Sequence, residues 1–395
     1  MSTARQDRFP LPELLALGMA AFIAILTEAL PAGLLPRMAQ DLGVTEAWAG
    51  QTVTAYALGS LLAAIPLTIA TQAVRRRPLL LAAIAGFALA NLVTTVSSHY
   101  GLTMASRFVA GVSAGLLWAL LAGYAARMVP AHQQGRAIAV AMAGTPLALS
   151  LGVPAGSFLG TLAGWRICFA AMSVLALLLM AWIRLRVPDF AGQPAGRRLR
   201  LGQVLLLPGI RSVLFVVLAF VLAHNMLYTY IAPLLAAVDM ARRTDLALLV
   251  FGGASLPGIW ATGLLIDRHL RALTLASTLL FGTAALALGV AGPAPLAIYL
   301  AVGAWGLAFG GSATLFQTAL AKTAAHGVAG ATDIAQSMLV TTWNAAIAGG
   351  AIVGGTVLQH LGVTGLSPFA LALLAAALVA TWRASRHGFA APVPD

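Results

Sequence analysis

Residues 14–35, LLALGMAAFIAILTEALPAGLL, carry one charge, Glu28, in twenty-two positions. At about 1.5 Å per residue a helix of this length crosses the roughly 30 Å of a bilayer's hydrocarbon. A signal-peptide apolar region is shorter, so the segment reads as a retained span even though Arg5 and Arg8 precede it. The same pattern recurs along the chain. Apolar runs fall at about 12–36, 46–71, 78–97, 101–126, 136–162, 165–186, 211–237, 245–266, 271–291, 294–321, 331–358 and 364–383.

Composition agrees. Of 395 residues, 60% are hydrophobic and 9% are charged, where a soluble domain has about a quarter charged. A soluble exterior cannot be built from so few polar groups, and a chain this apolar is not disordered. The expected fold is an all-α membrane protein of twelve transmembrane helices. The net charge of +12 would point to nucleic acid in a soluble protein. Here the basic residues sit in short loops between apolar runs, and topology explains them instead.

A cytoplasmic N-terminus puts Arg5, Arg8, Arg75, Arg76, Arg77, Arg127, Arg136, Arg184, Arg186, Arg197, Arg198, Arg200, Arg211, Arg268, Arg271, Lys322, Arg383 and Arg386 inside. Only Arg37, Arg166, Arg242 and Arg243 fall outside, so both termini are expected to be cytoplasmic in a bacterial-type inner membrane. The longest polar stretch, 187–210, holds Pro188, Asp189, Gly192, Pro194, Gly196, Arg197, Arg198 and Arg200. It reads as a cytoplasmic linker with a short surface helix, dividing a six-span half at 1–186 from another at 211–395.

The halves repeat weakly. At an offset near 195, Arg107, Gly111 and Gly115 map onto Val302, Gly306 and Gly310; Gly160-Thr161 maps onto Gly355-Thr356; Thr68 and Gln72 map onto Gly263 and Asp267. Six is even, so both halves enter from the same side as parallel repeats, with a substrate site expected at their interface near the midplane.

Twelve spans, a basic linker and parallel repeats resemble the major facilitator superfamily. TEALPAGLLPRMAQDLGV at 27–44 and AGQTVTAYALGS at 49–60 resemble the opening of its twelve-span drug:proton antiporter branch. The nearest likeness is to sugar-, arabinose- and chloramphenicol-efflux-like exporters. RFVAGVSAG at 107–115, GVPAGSFLGTLAGWR at 152–166 and TYIAPLL at 229–235 are similar to the fourth-, fifth- and seventh-helix motifs. The resemblance implies a monomer working by alternating access. It implies that helices 1 and 4 line a central cavity, and that the fifth-helix motif, with Gly152, Pro154 and Gly156, seals and flexes the contact between halves. It also implies a charge latch in the loop after helix 2, formed by an Asp and basic residues. Gln72 stands where that Asp is expected, beside Arg75, Arg76 and Arg77, so the latch is expected to rest on Asp267 and Arg268 in the second half.

Three residues are candidates for proton coupling. Glu28 lies inside the first span, where a charge costs roughly 2.5–3.5 kcal/mol. It sits about 12 Å below the outer end, and Arg107 about 9 Å below it, by the helical rise. An acid and a guanidinium at similar depth are expected to pair. That pair serves either as a proton switch or as a static tie in the bundle. His224, about 20 Å into the seventh span, has an ordinary pKa that suits a relay; the alternative is a neutral ring bonded to a neighbouring helix. Polar and aromatic groups in apolar spans suggest a substrate cavity: Gln51, Tyr56, Asn91, Trp118, Asn225, Tyr228, Gln317, Trp343 and Asn344. Interhelical packing is the competing reading of each.

No phosphate loop, metal spacing or nucleophile–base arrangement is present in the sequence. The single thiol, Cys168, reads as a core residue. The expectation is therefore a cofactor-free transporter, not an enzyme, that exchanges a small amphipathic solute, drug or sugar-like, for protons. Proton symport or facilitation, and a transporter-like sensor that moves nothing, are the alternatives.

Overall fold

The computed structural model describes residues 9–193, 199–240, 243–292, 294–328 and 330–389. Arg5, Arg8, Arg197, Arg198 and Arg242 of the charge argument, with Pro194 and Gly196 of the linker, lie outside the described residues. The described chain is helical and folds as two compact units, Met1–Leu201 and Gly202–Asp395.

In the first unit, α1 (Leu11–Ala29) is followed by a 3-10 turn at Leu30–Gly33 and by α2 (Leu35–Leu42). Next come α3 (Glu46–Ala70), α4 (Arg76–Val96) and α5 (Tyr100–Arg127). The fifth span is broken into α6 (Gln134–Met142), α7 (Gly144–Leu147), a π-helical stretch at Ala148–Gly152 and α8 (Val153–Ala163). Pro146 and Pro154 sit inside it and each removes an N–H, so the ladder loosens there. The unit closes with α9 (Trp165–Arg186). From Ala110 to Ala126, α5 is almost wholly buried. Cys168 is a core residue, 2% exposed, packed with Trp165, Phe169 and Met172 against Leu30 and Leu34.

The second unit has α10 (Leu201–Leu205), α11 (Ile210–Thr229), α12 (Ile231–Ala236), α13 (Thr244–Val290), α14 (Pro295–Gly310), α15 (Ser312–Gly327), α16 (Ala331–Leu361) and α17 (Leu366–Arg383). The long α13 is two spans. His269 leaves helical geometry at φ −126 and ψ 26. Phe251 and Phe281 both pack on the Trp305 ring, at 4.9 and 5.6 Å between centroids. A straight helix would hold them about 45 Å apart, so the chain folds back at His269. Eleven apolar stretches long enough to span are found among the described residues, and this hairpin makes them twelve. Leu185, Trp260 and Leu300 are among many large apolar side chains left exposed on their helices, the surface that lipid requires.

The internal repeat has a packing basis. A Cβ added at Gly111 would fall 2.7 Å from the Tyr56 carbonyl carbon, and one at Gly306 would fall 2.9 Å from that of Phe251. Gly115 meets Ser60 and Gly310 meets Ser255 in the same way. All four pairs are related by 195 residues. Glycine is required at these positions because backbone meets backbone. Gly111→Ala and Gly306→Ala are each expected to lower stability by about 1–3 kcal/mol. Gly282→Ala, with no atom within 4 Å of the added carbon, should be neutral or stabilising by up to about 1 kcal/mol. Thermal unfolding in detergent measures all three.

Candidate functional site

The first unit gathers its polar groups around the end of α1. Thr27 lies in the last turn, where carbonyls lack an intrahelical donor. Its carbonyl accepts from Arg107 Nη2 at 2.6 Å. Its hydroxyl accepts from Asn91 Nδ2 at 3.1 Å and donates to Met172 Sδ at 3.7 Å. The Tyr56 hydroxyl donates to the Ala24 carbonyl at 3.0 Å, and the Arg107 guanidinium stands 5.1 Å above the Tyr56 ring and 5.8 Å from that of Phe169. Arg107, Asn91 and Tyr56 are all buried. Arg107 Nε and Nη1 and Asn91 Oδ1 have no partner among the described residues.

The expected ion pair between Glu28 and Arg107 does not form. The two charges lie within electrostatic reach of each other, but no bond of 4.0 Å or less joins them among the described residues. Arg107 is held instead by the backbone one residue away, where the negative end of the helix dipole adds to the attraction. Glu28 is half-buried, and its carboxylate takes no hydrogen bond among the described residues.

The second unit has a different character. His224 is 7% exposed. It lies parallel to Phe309 at 3.5 Å and is surrounded by Tyr228, Phe251 and Trp305 at 5.3–5.6 Å. The indole of Trp305 can only donate, so its 3.2 Å contact makes His224 Nδ1 an acceptor and the ring neutral, with its proton on Nε2. Phe220, Phe281, Phe316 and Trp343 extend this nest. Tyr228 is 41% exposed, while Phe251, Phe309 and Trp343 are half-buried. Gln317 is buried, with Oε1 unpartnered among the described residues. Asn225 and Asn344 are half-buried and turn their amides onto their own helices, at Val221 and Val340.

The remaining candidates scatter. Gln51 is exposed on α3, and Trp118 is half-buried on α5 with no ring contact among the described residues. Gly152 and Gly156 pack against Phe22 and Leu30, and Gly144 against the α1 backbone at Phe22, so this glycine face lies on α1. Pro154 is exposed. Asp267 meets Lys322 at 3.8 Å, and Arg268 is exposed with no partner among the described residues.

The loop after α3 holds the linker. The Gln72 amide donates to the Leu199 carbonyl at 3.0 Å and accepts from the Leu199 N–H at 2.9 Å. The Gln193 N–H reaches the Gln72 carbonyl, and the Arg76 N–H reaches that of Phe190. Asp189 accepts from Arg75 Nε at 2.5 Å and from the Arg77 N–H at 3.0 Å. The acid missing at Gln72 is thus supplied from the linker. Burial works against the Asp189 carboxylate, but the Arg75 and Arg77 hydrogen bonds and charges outweigh it and hold the group below its ordinary range. Sequence reasoning missed this role of Asp189, and also Thr27, Phe251, Trp305 and Phe309, which read as ordinary span residues.

Residues 17–339 match the family model described as Major Facilitator Superfamily. The Pseudomonas aeruginosa protein named Transcription regulatory protein OpdE is 31% identical over 299 residues, covering 74% of each chain. Purine ribonucleoside efflux pump NepI of Salmonella paratyphi B is 31% identical over 288 residues, covering 72% of each. The backbone is similar to the crystal structure of the transporter FucP in its outward conformation, with TM-score 0.75 at 15% identity over 97% of this chain and 100% of that one.

The linker clamp carries a pH signature. A carboxyl held low contributes stability above its ordinary value of about 3.9, and that stability is lost as pH falls through the lower folded value. Asp189→Asn should therefore raise hydrogen–deuterium exchange across 71–77 at pH 7. The difference from the native chain should vanish below the folded value.

Proposed function

The chain belongs to the Major Facilitator Superfamily and is a membrane transporter, and on that footing we propose that it exports a small planar solute of the purine-nucleoside class in exchange for protons. The observation that carries the coupling is Glu28, a carboxylate inside a span, near a buried guanidinium yet bonded to nothing among the described residues. Such a group is free to take a proton when water reaches it from one side and to lose it when water reaches it from the other. A proton entering down one pH unit and 100 mV delivers about 3.7 kcal/mol, enough for about a 500-fold solute gradient. Rocking of the two six-helix halves would supply the alternation, and the protein would work as a monomer without a cofactor, in an inner membrane with both termini cytoplasmic.

The substrate class rests on two supports. One is the aromatic nest of the second unit, whose outer members Tyr228, Phe251, Phe309 and Trp343 offer stacking faces near Gln317, Asn225 and Asn344. The other is the likeness to NepI, named as a purine ribonucleoside efflux pump. Stacking a base on an aromatic ring is worth about 1–3 kcal/mol, and amide groups suit its edges. Neutral His224 fits this wall as a stacking ring better than as a proton relay. Drug-like and sugar-like solutes are the neighbouring classes, and a sugar alone makes poorer use of so flat a surface.

The likeness to OpdE, named as a transcription regulatory protein, favours one second reading, a sensor that binds without transporting. Proteoliposomes separate the cases. Purine nucleoside should show counterflow, which excludes a sensor, and protons should move against the solute, whereas symport moves both together. Glu28→Gln should abolish pH-driven transport and keep counterflow; undiminished coupling overturns the role of Glu28. Tyr228→Ala should weaken purine-nucleoside binding about 5- to 150-fold while leaving thermal stability near that of the native chain.

A further inference from the structure

In an unbroken helix the Thr27 carbonyl would accept from the N–H of residue 31. Residue 31 is proline and has none. Helix α1 stops at Ala29, and the carbonyl it leaves behind is filled by Arg107 Nη2 at 2.6 Å. Asn91 steadies the same residue from α4 through the Thr27 hydroxyl. Arg107 is completely buried, so it has no water to turn to, and Nε and Nη1 are already without partners among the described residues. The carboxylate within its electrostatic reach is Glu28, one residue beyond the carbonyl that holds it.

We propose that Pro31 is a positioning residue: by withholding an N–H it makes the Thr27 carbonyl the seat of the Arg107 guanidinium, and so keeps Glu28 unpaired and able to exchange protons. Two acceptors compete for one cation. An N–H at position 31 would satisfy the carbonyl from within the helix and release Arg107 toward the carboxylate, which would then hold its charge against protonation. The purpose of the device rests on the proton-exchange reading; its geometry does not.

Other titratable groups facing Glu28 are few. From α3 comes Tyr56, whose hydroxyl is committed to the Ala24 carbonyl, and from α5 Arg107. From α9 comes Cys168, bonded to the Gly156 carbonyl at 3.2 Å. The facing part of α4 offers only the Asn91 amide, and α7, the π-helical stretch and α8 carry no titratable side chain. Arg136 of α6 lies over Phe9 at the far end of α1.

The test is an infrared titration of the Glu28 carboxyl stretch in the full-length protein, the band being assigned by its loss in Glu28→Gln. Pro31→Ala should move the midpoint toward acid by about one to three pH units, with thermal stability kept or raised. Pro36→Ala, in the first turn of α2, should leave it in place. A Pro31→Ala midpoint that coincides with the native one, or moves toward alkali, overturns the proposal. If Pro31→Ala yields too little folded protein, Pro31→Val restores the same N–H at close to the proline's volume and is read identically. The midpoint does not depend on transport, so it fails separately from the exchange reading, which falls instead if Glu28→Gln stays fully coupled.

Discussion

Hydrocarbon offers no hydrogen bonds, so every backbone carbonyl that a helix leaves open must find a donor inside the protein. This constraint orders the molecule. At several points where spans meet, a side chain reaches a backbone oxygen of its neighbour: Arg107 to Thr27, Tyr56 to Ala24, Ser173 to Ala88, Ser277 to Ala308 and Tyr230 to Ala351. Four of these five donors are hydroxyls, which satisfy an oxygen without bringing in charge. The exception is the guanidinium of Arg107, and it lies near the carboxylate of Glu28. Chemistry and architecture therefore meet at Thr27, because the residue that completes a broken helix there is also the residue that carries charge.

The two units meet the cost of polar groups differently. The first gathers Thr27, Asn91 and Arg107 at the end of α1 near half-buried Glu28, with Tyr56 and Phe169 as π faces for the cation. The second packs rings around His224 and Trp305 and leaves Asn225 and Asn344 half-buried, bonded to their own helices. An aromatic shelf and a charged hub ask for different partners, and the proposed function assigns them to base and proton respectively.

Much of this was readable in the sequence for a physical reason. An apolar run of twenty residues has few alternatives to a membrane helix, and a lone acid within one stands out, as Glu28 did. Glycines such as Gly111 and Gly306 were visible as a spacing, although their contacts with Tyr56 and Phe251 were not. The hairpin at His269 was legible because Asp267, Arg268 and Arg271 interrupt the apolar pattern. What stayed hidden depends on partners distant in the chain. That Arg107 prefers a carbonyl to a carboxylate follows from Pro31, which is plain in the sequence, but only once α5 is known to lie against that turn. The Gln72 clamp was illegible because its partner, Leu199, contributes only main-chain atoms, which no side-chain pattern reports.

The repeat preserves unequal things. At the offset that aligns the glycines, Tyr56 answers to Phe251, Asn91 to Leu286 and Arg107 to Val302. The crossing points where backbones touch survive in both copies, while the ionic and amide groups have no counterpart in the second. Duplication of a six-helix ancestor would leave such a record: steric joints are inherited together because either copy collapses without them, whereas costly buried polarity is free to disappear from one copy once its sibling retains it.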